Sequence, residues 1–143
     1  MNATSLRNRI ARGEIDFAGA DLHGMDLHGV CLAEADLRRA DLHGADLHGA
    51  DLHAANLAEA DLNGADLHEA SLVAADLHGA DLHGADLQRA DLQRADLYAA
   101  NLREANMRGT DLREADLMTD LTQTDLAEAV LTDCHLPADA PTD

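Results

Sequence analysis

The sequence predicts an all-β solenoid with a short helix at its N-terminus, and three observations carry that prediction. A large apolar residue returns at every fifth position, from Phe17 through Leu22, Leu27, Leu32 and Leu37 to Leu117, with Met107 the one change among the leucines. The apolar share of 46% is almost entirely Ala and Leu, with one Phe, one Tyr and no Trp, so the core is uniform and narrow. A period of five matches neither the 3.6-residue face of a helix nor the two-residue face of a strand. Wound as a helix, leucines five apart would drift by about 140° per step and leave no stripe to bury, and a heptad coiled coil fails on the same ground. A chain that turns a corner every five residues, sending Ala and Leu inward each time, accounts for all three observations.

The elements follow in order. Thr4 or Ser5 is placed to cap a helix whose Leu6 and Ile10 share a face at i, i+4, and Gly13 is placed to end it. Residues 1–13 therefore read as an N-terminal cap over the open end of the solenoid core. The periodic array occupies residues 14–136, with Phe17, Leu42, Leu47, Leu52, Leu57, Leu77, Leu97 and Met107 among its structural core positions. Two residues before each centre stands a second inward position, Ala in most units, with bulk only near the start at Ile15, Met25 and Val30. Between Leu117 and Leu121 the step is four residues, which predicts a distorted turn near Thr119, after which Leu126, Leu131 and Leu136 resume the period. Residues 137–143, with Pro137 and Pro141, read as a disordered tail. Val130, Leu131 and Leu136 would then lie near an open end, which an end-to-end homodimer through the C-terminal coil would cover.

The units ADLHG, ANLAE, ADLNG and ADLQR resemble the A(D/N)LXX repeat of the pentapeptide-repeat proteins, and RIARGEIDFAGADL is similar to the N-terminal cap of many bacterial members. This resemblance implies a right-handed quadrilateral β-helix with four units per coil. Residues 20 apart then stack at about the 4.8 Å of neighbouring strands. One face would carry His23, His43, Asn63 and His83, and the next His28, His48, His68 and Gln88. A third would carry Glu34, His53, Val73 and Gln93, and a fourth Arg38, Ala58, His78 and Tyr98. Glycines such as Gly24, Gly44 and Gly64 permit the positive φ that tight corners require.

Charge narrows the function. The net charge is −18, every cation is Arg, and residues 40–88 hold ten acids and no Arg. Such a surface repels phosphates, which argues against direct nucleic-acid binding and against an anionic membrane, and favours a basic protein partner. Asp41, Asp46, Asp61, Asp66, Asp81 and Asp86 form the candidate acidic partner surface. The same slot takes Asn56, Ser71 and Asn101, so the aspartates also have a structural reading as local backbone acceptors. Residues 14–136 carry 26 acids and seven Arg. Over a rod of roughly 29 Å at the strand spacing, that is about one net charge per 1.5 Å, close to the roughly 1.7 Å of duplex DNA. The resemblance adds a DNA-mimic alternative, since some members act on DNA gyrase and confer quinolone resistance. Those members, however, have Phe at many centres, interrupted repeats and projecting loops.

Other chemistries find little support. Eight of nine histidines follow a core leucine, and stacked pairs such as His23 with His43 or His28 with His48 invite a metal. On a flat outward face they lack a converging third ligand, so no metal or cofactor site is assigned. Ser5 and Ser71 stand beside no convincing base, and no catalytic residues are assigned. Cys31 and Cys134 imply no disulfide framework and suit a reducing cytoplasm. No window approaches the roughly 18 apolar residues of a membrane span. The sequence thus predicts a non-catalytic, rigid acidic protein-binding or scaffold module.

Overall fold

The computed structural model describes residues 1–140. Its one helix, α1, spans Ala3–Ala11, and Asn2 caps it: the Asn2 Oδ1 accepts the N–H of Ser5 at 2.8 Å. Thr4 and Ser5, expected as caps, already lie inside the helix, because an amide oxygen at Asn2 reaches the third helical N–H. Leu6 is fully buried and Ile10 packs against the core, while Gly13, at φ 82°, turns the chain out of the helix. The Arg9 guanidinium lies 4.9 Å from the Phe17 ring centroid and pairs with Glu14 at 2.6 Å, which fastens α1 to the first coil.

The rest is a right-handed quadrilateral β-helix. Each residue in the slot before a core leucine forms a parallel bridge with the residue 20 later, from Asp16 with Asp36 to Asp96 with Asp116, so four units make one coil. The bridges stay isolated because each side of the square has room for one paired residue between corners. Phe17, Leu42, Leu47, Leu52, Leu57, Leu77, Leu97 and Met107 all lie in the buried stack, with Ala35 to Ala105 beside them. Full burial of a Leu is worth about 1.5–3 kcal/mol, and no leucine can be buried without the coil above or below it. Ile15 is not buried as expected but 56% exposed, and Ala20 and Met25 at the same position of the first coil are only partly buried, since no coil precedes this one to cover them.

Backbone hydrogen bonds explain why the unit has five residues of these types. In Asp41 to Ala45, the Asp41 N–H reaches back to Ala20 O, while Leu42 and Gly44 donate forward to Asp61 O and Asn63 O, and Ala45 closes a turn onto Leu42 O. That leaves the N–H of His43, which the Asp41 Oδ1 accepts at 3.2 Å. The Asp side chain in the slot before most leucines thus supplies the one acceptor the main chain cannot, although Cys31, Ser71, Val130 and His135 stand in that slot in four units. Asn does this equally: Ala58, Arg103 and Arg108 donate to the side-chain oxygens of Asn56, Asn101 and Asn106.

The corner residue, two after each centre, has positive φ in every unit from Gly19 to Glu114. Glycine is not required there: Glu34, Arg39, Ala74 and Arg94 adopt φ of 57–60°. Glu34 occupies such a corner, and Ala33 fills the column below His53. The shortened step removes one residue from the corner at Thr119, and beyond it the bridges join residues 19 apart, as in Asn106 with Asp125 and Asp116 with His135. The Thr119 hydroxyl donates to Ala100 O, and the Thr124 hydroxyl donates to Leu102 O at 2.9 Å. Side chains thereby serve carbonyls where the ladder is out of step.

At the C-terminal end Leu126, Leu131 and Leu136 are only partly buried and Val130 is 43% exposed. Residues 137–140 form a turn in which Ala140 N–H donates to Pro137 O, and Ala140 packs on the core. The rest of the expected disordered tail, Pro141, Thr142 and Asp143, lies outside the described residues.

Candidate functional site

The square cross-section sorts the charges. We number the faces by their centres: the first holds Leu22, Leu42, Leu62 and Leu82; the second Leu27, Leu47, Leu67 and Leu87; the third Leu32, Leu52, Leu72 and Leu92; the fourth Phe17, Leu37, Leu57, Leu77 and Leu97. On the first face the slot before the centre reads Asp21, Asp41, Asp61, Asp81; on the second, Asp26, Asp46, Asp66, Asp86. These two adjacent faces have four unbroken Asp rungs each. The third is interrupted by Cys31 and Ser71 and the fourth by Asn56, where Arg38 and Arg39 add positive charge. The fold places Asp41, Asp61 and Asp81 in one column and Asp46, Asp66 and Asp86 in the column beside it.

Six of the eight Asp-Leu-His units fall on the same two faces. His23, His28, His43, His48 and His68 each set Nδ1 2.5–2.8 Å from the Oδ1 of the Asp two residues earlier. Stacking brings the rings together: His48 and His68 lie 4.8 Å apart with planes 4° from parallel, and His23 and His43 lie 5.2 Å apart at 5°. The hydrogen bonds from the His23 and His43 side chains, then from their N–H groups, hold Asp21 and Asp41 below the ordinary carboxylate value. The hydrogen bonds with Asp21 and Asp66 in turn raise His23 and His68.

Two features were not legible in the sequence. Ion pairs link neighbouring coils at the corners, Arg39 with Glu59 at 2.9 Å and Arg89 with Glu69 at 2.8 Å; the i, i+20 charge reversal is their only signal. The expectation that no third ligand converges on the histidines does not hold. The carboxylate of the next rung stands beside each of these five Asp/His pairs, giving sets such as Asp46, His48 and Asp66 with ligand atoms all within 4.8 Å of one another. The parallel 20-residue stacking creates that convergence, and a single rung cannot show it.

A solenoid of this geometry, with an Asx oxygen closing most of its units, is a pentapeptide-repeat structure. The family model for pentapeptide repeats matches in eight copies over residues 15–53, 50–89 and 80–117, and the chain belongs to that family. Among solved structures, a pentapeptide repeat protein from Nostoc, alr5209, is 29% identical, with 95% of this chain and 96% of that one covered and a TM-score of 0.49. AT2G44920, a pentapeptide repeat protein of the Arabidopsis thaliana thylakoid lumen, is 32% identical over 82% of this chain and 72% of that one, with a TM-score of 0.36. The plasmid-mediated fluoroquinolone resistance protein QnrB1 is 20% identical over 89% of this chain and 74% of that one, with a TM-score of 0.44. A search of curated proteins finds no significant match. Among the described residues no helix is long and apolar enough to cross a membrane.

Proposed function

We propose that the chain is a non-catalytic, rigid acidic module that binds a basic protein partner through its first and second faces. The observation that carries this reading is that the fold asks at most for a side-chain oxygen in the slot before the centre, which Asn56, Asn101 and Asn106 supply without charge, and that Cys31 bridges to the next coil without one. Eight uninterrupted Asp rungs on two adjacent faces therefore exceed the structural requirement, and their field attracts cations over about a Debye length. The partly exposed Val130 and the half-covered Leu131 and Leu136 suit an end-to-end homodimer, which would leave both acidic faces free. Free thiols at Cys31 and Cys134 fit a reducing, cytoplasmic setting.

The test compares two variants of equal charge, D41N/D46N/D61N/D66N on the first two faces and D51N/D76N/D91N/D96N on the other two, for salt-sensitive binding to a cationic probe protein. Greater weakening by the first set supports the docking surface; equal weakening by both sets overturns it. The DNA-mimic alternative, in which the partner is gyrase, is favoured by the linear charge density, about one net charge per 1.5 Å at the strand spacing. A supercoiling assay decides it: inhibition, or protection from quinolone, supports the mimic, and no effect at large molar excess removes it.

A further inference from the structure

The second face carries more than negative charge. We infer that Asp46, His48, Asp66, His68 and Asp86 bind a divalent transition cation such as Zn²⁺. The sets Asp46, His48, Asp66 and Asp66, His68, Asp86 each offer one imidazole nitrogen and two carboxylate oxygens within 4.8 Å of one another, and all five residues are partly buried. One nitrogen and two oxygens are ligands a zinc ion accepts, with water completing its shell. Imidazole biases the site toward transition metals over Mg²⁺ and Ca²⁺, which prefer all-oxygen shells.

The fold does not demand this composition. The position after leucine takes Ala58, Asn63, Gln88 and Arg103 without disturbing the coil, and the slot before it takes Asn. Asp and His are nonetheless chosen together on consecutive rungs, and stacking holds the His48 and His68 rings parallel at 4.8 Å. The Asp66 carboxylate belongs to both sets, so the two share a ligand. On binding, the ligating imidazole nitrogen gives up any proton to solvent and the cation offsets two of the face's charges. This inference is independent of the docking reading, because it is tested with no partner present.

The experiment is zinc calorimetry on the untagged protein, with Co²⁺ absorption as a second readout. The variant His48→Gln/His68→Gln is compared with His53→Gln/His78→Gln, which removes two histidines on the other faces whose rings belong to no such set. Gln88 occupies the next rung of the same column, so Gln suits the site. The expected result is micromolar zinc uptake weakened at least tenfold by the first variant, unchanged by the second, and retained in excess Mg²⁺. No uptake at micromolar zinc, equal loss in both variants, or displacement by Mg²⁺ at similar concentration would each overturn the inference, the last by showing ordinary counterion attraction.

Discussion

Gly44 turns its corner at φ 62°, and a Cβ built there would meet no atom within 4 Å. A substitution at this site therefore reads backbone strain with no packing contribution. Gly44→Ala is expected to cost about 1 kcal/mol, seen as a lowered thermal midpoint, whereas an unchanged midpoint would show that the corners are unstrained. Glu34, Arg39 and Ala74 bear similar strain at their own corners, and stacking on both sides holds them there. Charge acts at the same scale. The Arg38 side chain beside Asp36, and Arg113 beside Asp111, hold those carboxyls below their ordinary 3.8. A carboxyl depressed on folding stabilises the fold above its unfolded value and loses that contribution as pH falls through the folded value. Melting temperature should therefore decline below about pH 4, and less steeply in Arg38→Gln/Arg113→Gln; identical acid limbs would contradict the assignment.

The coil is the unit that sequence made most legible. The five-residue period assigned the Ala and Leu positions inward, because period and burial are tied together by any corner repeated at that interval. The four-residue step located the disturbance at Thr119 for the same reason. Its repair was not legible, since the hydroxyl contact to Ala100 depends on which carbonyl the slip leaves unmatched. Thr119→Val should cost about 1–2 kcal/mol by stranding that carbonyl, while Thr122→Val on the exposed side should cost almost nothing; equal melting shifts would refute the repair. Leu77 sits in a central coil at full burial. Leu77→Asp buries an unpaired charge between two stacked neighbours, so the native circular-dichroism spectrum should be lost cooperatively along the whole rod. A variant that loses only local signal would mean that the coils are independent.

Over the whole molecule, the square section converts a one-dimensional repeat into two acidic faces and two interrupted ones. That division follows from the 20-residue register, which the five-residue period alone does not give; the quadrilateral coil came from family resemblance. The converging carboxylates of the Asp/His sets were hidden for the same reason, since each set spans two coils. The central claim is that the fold uses each slot aspartate for its oxygen and leaves its charge to function. Thermal melting of D41N/D46N/D61N/D66N beside D41A/D46A/D61A/D66A, at low salt, tests it most directly. The Asn variant should keep the native spectrum and melt at or above the parent, because like charges stacked at about 4.8 Å are removed while every amide keeps its acceptor, and the Ala variant should melt well below. An Asn variant that falls as far as the Ala variant would show that the charge itself holds the solenoid together.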